Sequence, residues 1–394
     1  MKKVISILLM LAMLLPVFVT AACASDTELP PEESDTVAGG VDLDLGVGAA
    51  YLMEAKTGAV LYSENETHAA SPASVTKIMT LLLAVEALAE GRFALEDTVT
   101  ISSYAASMGG SQVFLEEGER MSVEDLLKCT VIASANDAAV ALAELTAGSE
   151  SAFVARMNER AAELGLKNTA FENTTGLDDT TTNHYSCAED IAVMSRELIK
   201  HDIILKYSSI WQDTIRGGEF TLTNTNRLVR YYDGCNGLKT GSTDKAGYCV
   251  STTAKRGNMQ LIAVIMGAES REARNDAARA LLDYGFASYA LCEYPASFLE
   301  NVPVLRGKAN ILPTYSGGYY TLVDKADKGK IEVIYEIPEN VTAPITEGES
   351  VGKIKYYLNG ALIGECDILA GETIGKIGFF ELFLRILKRI ALAE

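Results

Sequence analysis

Positive charge is scarce in this chain: 34 Lys and Arg stand against 53 Asp and Glu, a formal charge of −19. A polyanion would be repelled, and no basic stripe compensates, which excludes nucleic-acid binding. Histidine is rarer still, with His68, His184 and His201 far apart, and no Cys-x-x-Cys pair occurs. The spacing of a structural zinc site is therefore missing, and the reading calls for no metal and no cofactor. Proline is limited to 9 residues in 394 while apolar residues make up 48%, so the chain is globular with a sizeable core. There is no internal repeat. No G-x-S-x-G elbow is present, which argues against a generic serine esterase.

The longest apolar run, Val4–Val19, is short for a membrane span. Lys2 and Lys3 precede it, and Ala22, Cys23 and Ala24 follow, the pattern of an export signal cleaved after Ala24. Two other readings of the same residues stay open. Cys23 could be the acylated residue of a lipoprotein, although Thr20 sits where a larger aliphatic residue is usual; alternatively the run is a retained helix. Residues 25–40 are acidic, contain Pro and Gly, and read as a linker. The expected location is the outer face of the cytoplasmic membrane or the cell wall. Export permits disulfides, and Cys235 and Cys249 are close enough to pair across a hairpin; the competing reading is that most of the six remaining cysteines are small buried hydrophobes.

Beyond the linker the patterning predicts a hairpin from AAYLMEA and AVLYSEN around Lys56-Thr57-Gly58. Helices are expected at 75–90, at 123–133 behind a capping box of Ser122 and Asp125, at 136–147, and at 150–164 closed by Gly165. Strands follow at 236–241, 247–255 and 259–267, then a helix at 271–284 ending at Gly285. Strands first, helices in the middle and strands last imply an α+β domain over 41–290, with one sheet assembled from both ends. Short β-rich runs spaced by Gly, Pro and Asn predict a small all-β domain over 291–370. Residues 371–394 carry Ile374, Ile377, Phe380, Leu384, Leu387 and Ile390 at helical spacing, with Lys376, Arg385, Lys388 and Arg389 opposite. A cationic amphipathic helix of this kind suits an anionic membrane surface, the alternative being a helix docked on the β domain.

Chemistry concentrates at Ser74-Val75-Thr76-Lys77. Ser71 is placed to cap a helix and Pro72 suits its first turn, which puts Ser74 near the N-terminus, where the dipole favours negative charge. The spacing of three sets Lys77 on the same face one turn deeper. The apolar run Ile78–Val85 behind it would bury the lysine, lower its affinity for a proton and free an amine to act as general base. By itself S-x-x-K is weak, and Ser242 and Lys245 match it too. Likewise S-x-N occurs at Ser134–Asn136 and at Ser63–Asn65, and K-T-G at Lys239–Gly241 and at Lys56–Gly58. Context separates the copies: Lys56 lies in a hairpin turn, Ser63 just past that hairpin, and Ser242 opens no apolar helix.

Order strengthens the signal. Ser134 follows Ser74 by 60 residues and Lys239 follows Ser134 by 105. S-x-x-K, S-x-N and K-T-G in that order resemble the penicilloyl-serine transferases. PASVTKIMT, FENTTGLDD with HYSCAEDIAVMSREL, GLKTG and LLDYGF narrow the likeness to the D-alanyl-D-alanine carboxypeptidases, the low-molecular-mass penicillin-binding proteins, over roughly residues 42–290. The resemblance implies a β-lactamase/transpeptidase-like catalytic domain, with the β domain and tail as the family's usual appendages. It also implies Ser74 as acylated nucleophile, Lys77 as its base, and Ser134 as proton relay to the leaving D-alanine. Asn136 would hold a substrate amide, and Lys239 and Thr240 on an edge strand would grip the terminal carboxylate. Gly241 would leave room for backbone approach, and the N–H groups of Ser74 and Ser242 would form the oxyanion hole. Arg274 would add charge, with Arg271 an equal candidate, and His184 would be structural. The implied partners are peptidoglycan stem peptides ending in D-Ala-D-Ala and β-lactams.

Two departures stand out: Thr174-Thr175 where the family more often has a Pro-containing pair, and Cys187 where Thr is common. Neither is expected to touch the chemistry. A class A β-lactamase would need a Glu with Leu-Asn shortly after it, and Leu-Asn occurs only at Leu358-Asn359. An idle binding protein on the same fold is disfavoured by the intact Ser74 and Lys77.

Overall fold

Residues of opposite parity along each central strand serve two different cores. The computed structural model describes residues 41, 43–179 and 181–391; the export signal, Cys23 and the linker lie outside them. β1 (Ala49–Glu54), β2 (Val60–Glu64), β3 (Cys235–Thr243), β4 (Gly247–Arg256) and β5 (Met259–Ala268) form an antiparallel sheet in the order β2-β1-β5-β4-β3. The sheet is thus closed from both ends of the domain, as the sequence pattern predicts, and β3 is an edge. Tyr51, Met53, Ile262 and Val264 face a helical core, while Leu52, Leu261, Ala263 and Ile265 face a second one. The alternation is the period-2 geometry of a strand buried on both faces.

The larger core is made by α1 (Lys77–Ala89), α2 (Val123–Ile132), α3 (Asn136–Ala147), α4 (Glu150–Glu163) and α5 (Ala188–Leu198). On the opposite face lies α6 (Arg271–Ser288). Ser122 caps α2 as expected, its Oγ accepting from the Asp125 N–H at 3.0 Å. Gly165 closes α4 at φ +71°, with N–H bonds back to the last turn.

Two helix expectations need correction, and of the two readings of the cysteines the buried, unpaired one holds. Ser71 does not cap the helix that follows Ser74: Pro72 takes the cap position of a tight turn over Ala73–Thr76, and the Ser71 hydroxyl has no partner among the described residues. Gly285 does not end its helix. It lies inside α6, where a Cβ would come within 2.6 Å of Leu261 and 3.0 Å of Leu52, so it serves close helix–sheet packing. Cys235 and Cys249 are not paired; opposite them across the ladder stand Ala254 and Gly241, and the six described cysteines are free, four of them buried.

Two further sheets follow, the pair of β6 (Tyr289–Tyr294) with β9 (Tyr319–Asp324) and a six-stranded sheet. Its main strands are β7 (Phe298–Leu305), β8 (Ile311–Ser316), β10 (Ile331–Glu336), β11 (Ser350–Leu358) and β12 (Ala361–Ala370). The terminal helix, α7 (Phe379–Ala391), is shorter than the pattern suggests. Ile374 is buried in the β domain and pairs with Ile345, and the Ile377 N–H donates to the Arg306 carbonyl, so neither belongs to the helix face. The cap at Ser122 yields a stability test: Ser122→Ala should cost about 1 kcal/mol in denaturant unfolding, and an unchanged midpoint would show the cap to be idle.

Candidate active site

Ser74 sits in the tight turn Ala73–Thr76 that leads into α1. Ala73 is forced to φ +46°, a left-handed value that a residue with a Cβ rarely takes. The turn is held from two sides. Gly176, at φ +80°, lies so close that a Cβ there would meet the Ala73 carbonyl at 1.8 Å. Below it, the neutral His184 bridges: its Nδ1 accepts from the Glu172 N–H, so Nε2 carries the proton and donates to the Thr76 hydroxyl at 2.7 Å. Burial keeps His184 neutral by pushing its pKa down to about 4. His184 is structural, as read from its segment.

Lys77 is fully buried, and its Nζ lies 2.9 Å from the Ser74 Oγ. Desolvation, then the nearby Lys239, drive its pKa well below that of a free lysine, against a smaller opposing pull from Asp137. A neutral amine within hydrogen-bond reach of a hydroxyl is the geometry of an activated nucleophile. Nζ also donates to the Thr175 carbonyl at 2.8 Å. The Thr174-Thr175 departure therefore does touch the site, through its backbone, which residue identity does not reveal. The other departure, Cys187, caps α5 by accepting weakly from the Asp190 N–H at 3.4 Å.

A second serine–lysine pair faces the first. Lys239 on β3 is buried and donates to the Ser134 Oγ at 2.7 Å. Burial and the Arg274 guanidinium bring its pKa down to about 7. Ser134 is held at φ +62° between α2 and α3, the kind of strain that clusters at functional sites. Asn136, buried at the start of α3, donates to the Gly109 carbonyl at 2.6 Å and keeps its Oδ1 without a partner among the described residues. The Thr240 hydroxyl donates to Thr225 at 2.8 Å.

Ser74, Ser134, Thr240, Gly241, Ser242 and Arg274 line one cavity of about 590 Å³. Lys77, Lys239 and Asn136 stand behind its wall. Gly241 makes the cavity possible: a Cβ there would meet the Pro72 carbonyl and the Ser74 N at 2.8 Å, and the Val75 N at 2.9 Å. Arg271 lines the cavity beside Arg274, so both candidates are present; Arg274 is the buried one, its guanidinium pKa lowered to about 10 by burial. Sequence reasoning missed Ser111, Trp211, Thr225, Arg227 and Tyr231, which add to the wall from short segments that carry no motif. Two of the duplicate motifs fall elsewhere, whereas Ser242 of the third belongs to the cavity. Lys56 pairs with Glu293 beyond the first hairpin, and Asn65 donates to the Gly48 carbonyl.

The D-alanyl-D-alanine carboxypeptidase family profile matches residues 36–270, and that of the penicillin-binding protein 5 C-terminal domain matches residues 296–376. The chain is 42% identical to D-alanyl-D-alanine carboxypeptidase DacF of Bacillus subtilis, over 86% of this chain and 88% of that protein. It is 33% identical to DacC of Escherichia coli over 84% of each. Among solved structures, penicillin-binding protein 5 of Haemophilus influenzae superposes with a TM-score of 0.73 at 30% identity, covering 86% of this chain and all of that one. An ampicillin-bound penicillin-binding protein D2 from Listeria monocytogenes matches with a TM-score of 0.58 at 30% identity, over 62% of this chain and 100% of that one.

Gly241→Ala should force the strand away from the Ser74 turn and cost about 10²–10³ in carboxypeptidase turnover, the size of loss that displacing one catalytic hydrogen-bond donor typically causes. Release of D-alanine by a protein whose folding is checked by circular dichroism reads this; a rate within about tenfold of wild type would refute the close-approach role.

Proposed function

The chain belongs to the D-alanyl-D-alanine carboxypeptidase family and is a serine-type carboxypeptidase, and on that premise we propose that it trims peptidoglycan pentapeptide stems through an acyl-enzyme on Ser74 and so controls cross-linking. The observation that carries the mechanism is the 2.9 Å contact between a desolvated Lys77 amine and the Ser74 hydroxyl. Lys77 takes the Ser74 proton as the oxygen attacks the penultimate D-Ala carbonyl. The developing oxyanion is received by the N–H groups of Ser74 and Ser242. Ser134, bonded to Lys239, passes a proton to the leaving D-alanine nitrogen. Lys239, Thr240 and Arg274 grip the terminal carboxylate, and the open Oδ1 of Asn136 accepts from a substrate N–H. Water then hydrolyses the acyl-enzyme. A β-lactam presents the same carbonyl and carboxylate and acylates Ser74 in the same way.

The reading extends to location: export, with α7 lying in the outer face of the cytoplasmic membrane. Support comes from how the helix is held. Arg385 donates to the Asn310 side chain at 2.7 Å and to the carbonyls of Gly307 and Lys308, a polar clamp on the β domain. Phe379, Phe380, Phe383, Leu384 and Ile390 stay more than half exposed. A helix docked for its own burial would hide that face; one docked through its cation presents it outward.

Incubation with benzylpenicillin should add one penicilloyl mass to the wild type and none to Ser74→Ala, with D-alanine released from a diacyl-Lys-D-Ala-D-Ala peptide by the wild type alone. A serine-independent adduct would sink the mechanism, and an adduct without D-alanine release would favour an idle binder. For the tail, co-sedimentation with phosphatidylglycerol vesicles should be lost in Leu384→Asp/Leu387→Asp; retention by that variant would rule the helix out as the anchor.

A further inference from the structure

Both carboxylate oxygens of Glu150 are committed to other segments. Glu150 opens α4 behind the Ser149 cap, where an acid usually needs no explanation beyond the helix dipole. Here Oε1 accepts from the Thr174 N–H at 3.0 Å and its hydroxyl at 2.7 Å, while Oε2 accepts from the Tyr104 hydroxyl. Each contact leads to a wall of the cavity. The Thr174 carbonyl receives the Thr80 hydroxyl at 2.7 Å, and the next carbonyl, Thr175, receives Lys77 at 2.8 Å. Thr80 lies one turn beyond Lys77 on α1. Tyr104 begins the segment that carries Gly109, whose carbonyl holds Asn136, and Ser111, which lines the cavity. The hydrogen bond to Glu150 raises the Tyr104 pKa to about 12, so the phenol remains a donor.

We propose that Glu150 is a positioning residue for acylation: by fixing Thr174 and Tyr104 it holds the loop whose Thr175 carbonyl keeps Lys77 against Ser74, and ties that loop to the wall that carries Asn136. The inference rests on Ser74 being acylated with Lys77 as base. Thr174 and Thr175 are buried, and among the described residues neither bonds to a carboxylate other than that of Glu150. Asn173 orders the same loop locally, accepting from the N–H groups of Thr175 and Gly176, but it does not reach the opposite wall.

The signature is a dependence on pH. Lys77 is faced by Lys239 from β3 and Asp137 from α3, and below it Thr76 contacts a neutral His184. Desolvation is the largest influence on its amine. Loosening the Thr174–Thr175 loop admits water and relieves that desolvation. The ammonium is then favoured, so the rising limb of acylation moves to higher pH.

The test measures benzylpenicillin acylation, together with kcat and KM for D-alanine release, from mildly acidic to alkaline pH. Glu150→Ala should lose about tenfold to a hundredfold at neutral pH, mainly in kcat, and recover part of it as pH rises. Glu150→Gln should restore most of the rate, because its carbonyl oxygen still accepts both Thr174 bonds. A Glu150→Ala profile within about threefold of wild type overturns the proposal, as does a loss equal at every pH that Gln fails to rescue. Should Glu150→Ala fail to fold, Thr174→Val removes one hydroxyl only; a smaller loss with the same pH dependence is expected, and a wild-type profile refutes the role. A wild type that takes no adduct at Ser74 overturns this inference together with the mechanism beneath it.

Discussion

Two lysines buried within reach of two serines are the constraint on which the rest of this domain depends. A single buried ammonium costs several kcal/mol, and two side by side cost more. The fold meets that cost by letting the pair share charge. Lys77 is driven toward the neutral amine and Lys239 titrates near neutrality, each with a serine hydroxyl and a backbone carbonyl as partners. An amine kept neutral by burial is a base at the pH of use, so the destabilising element and the reactive one are the same atom.

Enclosing that pair requires backbone to approach backbone with no side chain between. The site lies where an edge strand, a tight turn and a loop meet. The chain answers with glycine at the two tightest points, Gly241 against the Ser74 turn and Gly176 against Ala73. It also accepts left-handed strain at Ala73, next to Ser74, and at Ser134, so that both serines of the cavity are set by strained backbone. The sheet behind them is buried on both faces, which gives β3 a rigid mount although one of its sides is free for a ligand. Precision at the cavity is thus carried by the two cores, and the strain stays confined to a few residues.

What could be read in advance follows from this division. The central strands, the helices of the larger core and the order of Ser74, Ser134 and Lys239 were legible, because periodic burial and motif spacing are properties of side chains. The features that escaped belong to the backbone or to loops. The Thr175 carbonyl acts on Lys77 without regard to its side chain, and Ser111, Trp211, Arg227 and Tyr231 come from stretches with no period. Ser71 looked like a cap because its type suits one; the left-handed Ala73 moved the helix start past it. Gly285 looked like a stop because isolated glycine often is, whereas contact with Leu52 and Leu261 made it a packing residue. In the tail the apolar spacing ran on into Ile374, which the β domain claims for its own core.

The net charge of −19 and an anionic substrate pull in opposite directions, and distance decides between them. At physiological ionic strength exposed charges are screened beyond about 8 Å. Surface carboxylates therefore count for little at a cavity whose charged lining residues are Arg227, Arg271 and Arg274, with Lys239 just behind. On the proposed mechanism the substrate does more than bind there. Its carboxylate beside Lys239 favours the ammonium form, reversing the effect of burial and of Arg274. A charged Lys239 in turn lowers the affinity of Lys77 for a proton. The bound carboxylate thus pairs with the charge on Lys239, and Lys77 remains the member of the pair that burial keeps neutral. The two lysines thus divide the work on this mechanism, Lys239 as the cation for the carboxylate and Lys77 as the base, which is why a chain with few cations spends two buried lysines on a single cavity.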